Sequence, residues 1–263
     1  MEEEQLAGGV ANAGGVTRIG GHVLRPANFH SESIHSFLRA LRAAGFDGAS
    51  VPVGIDADGR ERLVFIEGDV AIPPLPAWVQ TDDALASVAI LMRRFHDTSR
   101  RIGLGAGLTW SMEGADPAGG PIVCHNDVCW ENVVFRDGHA VGLLDWDFAA
   151  PGHPVYDLAS FARMCIPVDD DFDAARLGFV PSDRPARLRF VADSYGLTRD
   201  ARRELVPVLA GVIAKHGEFV RRRVEAGDAN FTAMWNGSGG MERFDRRHRW
   251  WHEHQAQFSS AMA

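Results

Sequence analysis

Two short apolar runs, Asn132-Val133-Val134-Phe135 and Ala140-Val141-Gly142-Leu143-Leu144, flank Arg136-Asp137-Gly138-His139, and no other stretch constrains the chain as tightly. Asp-Gly between β-prone runs marks a tight hairpin, because both residues tolerate the backbone such a turn needs. With Asp137 and Gly138 at the centre, facing residue numbers sum to about 275, which sets Asn132 opposite Leu143. Strand side chains alternate faces, so Leu143 and Asp145 share a side and Asn132 meets Asp145 at the open end of the hairpin. Asp127 lies in the loop entering that end. A cluster of Asp, Asn and Asp beside an apolar core is costly unless it holds a cation. Magnesium suits it, since this ion takes oxygen ligands and commonly combines one or two carboxylates with substrate phosphates.

The spacing also fits a division of labour. In phosphoryl transfer by protein kinases, one Asp receives the hydroxyl proton, an Asn five residues later binds a metal, and a downstream Asp binds metal bridging the phosphates. Asp127 is accordingly expected to be catalytic, with Asn132 and Asp145 as metal ligands. The stretches His125-Asn126-Asp127, Asn132, Leu144-Asp145-Trp146-Asp147 and Tyr156-Asp157-Leu158-Ala159 resemble the aminoglycoside phosphotransferase and choline kinase superfamily. That resemblance implies an α+β, two-lobed protein-kinase-like fold. Its small antiparallel-sheet lobe would span residues 1–68, with a hinge at its end, and its larger, mainly helical lobe residues 69–263. ATP (or GTP) with Mg2+ would lie between them, and a small-molecule hydroxyl would approach Asp127 from the helical lobe.

The resemblance further assigns Gly9 and Asn12 of Gly8-Gly9-Val10-Ala11-Asn12 to the nucleotide loop, and the backbone of Phe65-Ile66-Glu67-Gly68 to adenine. Arg25 stands where the family has a phosphate-binding lysine. The helix that follows usually offers that cation a Glu, but Ile34 and His35 occupy the place, and Glu32, one turn earlier, is the expected substitute. Asp157 is expected to be structural. For Asp147 two readings stay open, a further metal ligand or support, or a cap for the following turn. Aminoglycosides and other cationic antibiotics are the family's best-known acceptors, with metabolic kinases of choline, amino alcohols or sugars as the near alternative and a nucleotide-binding pseudokinase as a distant one.

The rest of the chain fits this frame. Glycine-punctuated β-prone pieces precede a helix expected over Ser31 to Ala44, where Ile34, Phe37, Leu38 and Leu41 recur at helical spacing. Strands are expected near Val51 and over Arg62 to Ile66. Leu85, Val88, Ala89, Met92 and Phe95 form one stripe of a helix capped at Thr81, and helices are expected from Pro154 nearly to the end. The net charge of -8 argues against a nucleic-acid partner and is compatible with a cationic acceptor, for which Asp169, Asp170 and Asp171 are candidate ligands against the plainer reading of a solvated loop. With three cysteines lacking a C-x-x-C pair, an acidic start and no long apolar run, a cytoplasmic protein without disulfides or membrane partners is expected. His248, His252 and His254 interleave with Trp250 and Trp251 and read as a packed helix, not a metal site.

Overall fold

A computed structural model describes residues 3–6 and 14–263, so Gly9 and Asn12 lie outside the described residues. The glycine-punctuated start pairs into a sheet of β1 (Glu3–Gln5), β2 (Thr17–Ile19), β3 (His22–Pro26), β4 (Pro52–Ile55) and β5 (Arg60–Val64), antiparallel in the order β1-β2-β3-β5-β4. Helix α1 (Ser31–Ala43) separates β3 from β4. Its expected stripe of Ile34, Phe37, Leu38 and Leu41 is buried, each side chain contributing about 1.5–3 kcal/mol, and Gly45 follows in the left-handed region at φ 90°. The β5 strand starts at Arg60, earlier than expected, because Gly59 at φ 81° turns the chain out of β4 sooner.

Next come β6 (Asp69–Val70), α2 (Asp82–Ile102), β7 (Ile122–Cys124), β8 (Val133–Arg136), β9 (His139–Leu143) and β10 (Ala150–Gly152). Thr81 caps α2 by accepting the Ala84 N–H at 3.1 Å. Acidic Asp82 and Asp83 open this helix and Arg100 and Arg101 close it, which matches its dipole. Strands β6, β8 and β9 form a three-stranded sheet, while β7 pairs with β10. The expected hairpin turn is present, with Asp137 at φ 51° and Gly138 at φ 77°. Its register is one step off the simple count: a bulge between Val134 and Phe135 sets Val133, not Asn132, opposite Leu143. Asn132 accepts instead from the Leu144 N–H, at 2.8 Å.

The remainder is helical: α3 (Pro154–Cys165), α4 (Asp171–Arg176), α5 (Arg184–Tyr195), α6 (Arg199–Glu225), α7 (Ala229–Ser238) and α8 (Gly240–Ala261). Helix α3 packs on α6, and α2 on α5. An aromatic joint ties these parts together, since Trp146 meets Phe95 of α2 edge-on at 4.9 Å and Phe37 of α1 at 6.2 Å between ring centroids. His254 stacks on Trp250 and bonds its carbonyl, as a packed helix requires, while His252 is exposed. Among the described residues no helix is long and apolar enough to cross a membrane.

Candidate active site

The fully buried strand β7 delivers His125, Asn126 and Asp127 into a loop that Asp157 holds from the first turn of α3. The Asp157 carboxylate accepts the backbone N–H of His125 at 2.7 Å and of Asn126 at 2.8 Å, and pairs with the His96 ring at 2.9 Å. These bonds fix Asn126 in the left-handed region at φ 65°, where its Nδ2 donates to the Phe148 carbonyl. Burial pushes the Asp157 carboxyl up, but the His96 bond and charge together with the backbone N–H outweigh it and hold the group below its ordinary value. A depressed carboxylate stabilises the fold above its unfolded pKa and loses that contribution as pH falls through the folded value. Asp157→Asn is therefore expected to cost about 1–3 kcal/mol at pH 7, since one N–H keeps no acceptor, with the gap closing in acid. Urea unfolding at pH 7 and at about pH 2, below the ordinary carboxylate range, checks this, and an equal gap at both would refute it.

His125 is a positioning residue. Its Nδ1 accepts the Asp127 N–H at 3.3 Å, so the proton sits on Nε2, which donates to the Leu144 carbonyl at 2.9 Å. Burial depresses its pKa and keeps the ring neutral against Trp146.

Asp127 and Asn132 are brought together: the Asn132 Nδ2 donates to the Asp127 carboxylate at 3.0 Å and to its carbonyl at 2.9 Å. Burial, then the nearby Asp145 charge, pushes the Asp127 carboxyl up to about 8. Asp145 does not continue the strand, because its backbone turns to φ 58°, so strand alternation does not govern its direction. It borders the same cleft as Asn132, and its carboxylate takes Arg25 Nη1 at 2.8 Å.

Arg25 is the hub of this corner. Its Nη2 donates to Asp147 at 2.6 Å and its Nε to Glu61 at 2.5 Å, while the second Glu61 oxygen pairs with His35 at 2.6 Å. Glu61, not Glu32, is thus the acidic partner, and α1 contributes His35 to its far side. The reason is register: Arg25 on β3 and Glu61 on β5 face each other across the sheet. No residue near either position marks Glu61 for this part, which only the pairing of the two strands gives it. Burial opposes the Arg25 charge, but Asp145, Asp147 and Glu61 outweigh it and raise its pKa above the ordinary guanidinium value. The Asp147 carboxylate is turned to Arg25.

Above this corner opens a cleft of about 400 Å³ with walls from Val23, Leu63, Phe65, Ile66, Gly68 and Leu144, and with Arg25, Glu61, Asn132 and Asp145 at its polar end. The Glu67 side chain points away to Arg18, at 2.7 Å. Gly68 is required where it is: its φ is 147°, and a Cβ there would stand 2.4 Å from the Phe135 carbonyl oxygen. Asp127 borders a second, smaller cavity of about 80 Å³ between α3 and α6.

Asp169, Asp170 and Asp171 are not among the described residues lining that cavity. Asp169 is buried against Arg247 and Arg243; Asp170 caps α4 through the Asp173 N–H and pairs with Arg246; Asp171 pairs with Arg184. In place of a solvated loop, Asp169 and Asp170 join α4 to α8 through arginines of that helix, while Asp171, at the start of α4, pairs with Arg184 of α5 and keeps its side chain 89% exposed.

Two lobes and an apolar cleft between them, with Asn132 and Asp145 at its polar end and Asp127 bonded to Asn132, define a kinase-like fold. Residues 108–191 match the phosphotransferase enzyme family. The trifolitoxin immunity protein of Rhizobium leguminosarum bv. trifolii is 34% identical over 192 residues, covering 71% of this chain and 72% of that protein. This chain belongs to the phosphotransferase enzyme family. Solved structures share its fold at low identity. A choline/ethanolamine kinase family protein from Mesorhizobium loti superposes with TM-score 0.63 at 16% identity, over 100% of this chain and 92% of that one. The GDP complex of aminoglycoside 2'-phosphotransferase-IIIa gives TM-score 0.64 at 14% identity, over 97% and 94% of the two chains.

Proposed function

We propose that this chain moves the terminal phosphate of ATP or GTP to a hydroxyl of a small molecule, with residues 1–68 as the nucleotide lobe and residues 69–263 carrying the catalytic loop and the acceptor cavity. The observation that carries the reading is the position of Asp127, which borders the α3–α6 cavity and is fixed by Asn132, a residue at the polar end of the cleft of about 400 Å³. A nucleotide in the cleft and an acceptor in the cavity would meet there.

The chain's groups have distinct parts in this reading. The Asp127 carboxylate takes the proton of the attacking hydroxyl, and Asn132 Nδ2 holds that carboxylate in place. The hinge backbone at Phe65 to Gly68 faces the base, and Arg25 grips phosphate. Magnesium fits the corner: Asp145 and the Asn132 amide oxygen are hard oxygen donors, and Glu61, Asp145 and Asp147 outnumber the single guanidinium between them, leaving negative charge for a cation to offset. When bound, the ion supplies charge neutralisation for the transferring phosphate. The family's antibiotic-modifying members and the name of the 34% relative favour a protective role, in which transfer inactivates a toxic compound. The kinase neighbours favour metabolism.

Incubation with labelled ATP or GTP, Mg2+ and a panel of aminoglycosides, macrolides, amino alcohols and hydroxy acids tests the reading. Labelled product from any of them supports it, and tight nucleotide binding without transfer to any of them would favour a pseudokinase. Asp145→Asn is expected to weaken Mg-nucleotide binding by about tenfold, or ~1.4 kcal/mol, as well as slow turnover. Calorimetry giving unchanged affinity would remove Asp145 from the metal site.

A further inference from the structure

The cavity beside Asp127 has a charge character that the sequence does not announce. Tyr156, Ser160 and Arg163 share one face of α3, and Val212, Lys215, His216 and Phe219 share one face of α6; these faces supply two of its walls. Arg163 is the odd member. It makes no ion pair among the described residues, and its Nε is buried with no hydrogen-bond partner. The neighbouring arginines are all ion-paired, Arg243 with Asp169 and Asp173, Arg247 with Asp169 and Arg246 with Asp170 and Asp173. So the acidic run expected to attract a cation is taken up by those three together with Arg184, which pairs with Asp171, and Arg163 is left over.

The remaining charges do not cancel it. Lys215 donates to the Ala115 carbonyl and stands 5.8 Å from the Tyr156 ring centroid, bringing a second cation to the same cavity. Of the carboxylates nearby, Asp116 is engaged by His153 and by the Ala118 N–H, and Glu113 lies 3.9 Å from Arg223. Asp127 is bonded to Asn132; its charge acts on Arg163 from within the cavity, and that of Arg247 acts against it more strongly.

We infer that the acceptor is an anion, a small molecule that carries, besides the hydroxyl presented to Asp127, a carboxylate or phosphate ester bound by the Arg163 guanidinium with Lys215 adding a second positive charge. The inference rests on the phosphotransfer reading and names its acceptor class. A guanidinium offers paired N–H donors that match two oxygens of such a group, and a buried donor without a partner costs about 1–3 kcal/mol that an anion relieves. Burial and then Arg247 pull the Arg163 pKa down to about 10, and burial followed by Arg163, Arg247 and Arg243 pushes the His216 pKa well below its usual value, both marks of positive potential without enough counter-charge. Size agrees. At about 80 Å³ the cavity accepts an anionic head group of a few heavy atoms, since one water needs roughly 10–15 Å³ on the same scale.

The test is calorimetric titration of the full chain, saturated with Mg2+ and a non-hydrolysable ATP analogue so that the phosphate subsites are filled. The probes are glycolate, glycerol 3-phosphate, ethanolamine and choline. One anionic probe is expected to bind at least about tenfold more tightly than either cation, and Arg163→Gln to remove that preference while nucleotide-analogue affinity stays within a few-fold. Preference for glycolate identifies a carboxylate, and preference for glycerol 3-phosphate a phosphate ester. Lys215→Gln, expected to weaken the same probe less, serves if Arg163→Gln does not fold. Tighter binding of ethanolamine or choline, no anion binding in the ~10 mM range, or unchanged anion binding in both variants would each overturn the inference. Failure of the nucleotide analogue to bind would count against phosphotransfer instead, and the four probes can still be compared on the chain without nucleotide.

Discussion

Asp127→Asn is expected to lower phosphate transfer by about 10²–10⁴-fold, the usual worth of a positioned general base, while nucleotide affinity stays within a few-fold. The substitution keeps shape. Asn132 Nδ2 can still donate to the side-chain oxygen and to the residue 127 carbonyl, and the Asp157 bonds to residues 125 and 126 are untouched. What is lost is the capacity to hold a proton. Stability gives a second readout. With burial and Asp145 pushing the Asp127 carboxyl up to about 8, its contribution to the fold is fully present below the ordinary carboxylate pKa of about 3.9 and is lost as pH rises towards 8. Asn cannot ionise, so in EDTA the variant should gain stability relative to wild type as pH rises through that window. Wild-type turnover in the variant would remove Asp127 from the chemistry; an unchanged stability difference from pH 4 to pH 8 would remove the electrostatic account.

Local chemistry was legible and distant pairing was not. The Asp137-Gly138 turn, the stripe of α1 and the Thr81 cap depend on residues within a few positions of one another, and they form as the sequence indicates. Counting from the turn failed by one residue because a bulge leaves no mark in an apolar run. The meeting of Asn132 and Asp145 at one cleft survives that slip only because Asp145 leaves strand geometry at φ 58°. Glu61 was invisible for a different reason: its partner lies 36 positions earlier, on a strand whose neighbour cannot be read from either segment. The acidic run misled because its arginines come from α5 and α8, far along the chain. Arg163 carries no motif, and its significance lies in the counter-charge it lacks.

Arg25→Ala should produce the largest loss of stability. The guanidinium is shared by Glu61, Asp145 and Asp147, and Arg25 and Glu61 are almost wholly buried, at 7% and 1% exposure. Removing it takes one shared positive charge from three carboxylates in one corner, of which Glu61 keeps His35. Breaking a buried pair by deleting one partner costs about 3–5 kcal/mol, whereas an exposed pair is worth only about 0–1 kcal/mol. Burial selects the larger figure, equivalent to a fall of about 2–4 °C in Tm for each kcal/mol in a chain of this size. Two conditions should narrow the gap: acid, which protonates the carboxylates that shared Arg25, and Mg2+, which replaces the missing positive charge at Asp145. Arg25→Lys should fall between, because one ammonium cannot serve three carboxylates that a planar fork reaches together. The same substitution should raise KM for ATP if Arg25 also grips phosphate. Thermal unfolding in EDTA and in Mg2+ separates the outcomes. A Tm for Arg25→Ala within about 2–4 °C of wild type, or ~1 kcal/mol, would show that the three carboxylates do not depend on this arginine, and an unchanged KM would remove its contact with the nucleotide.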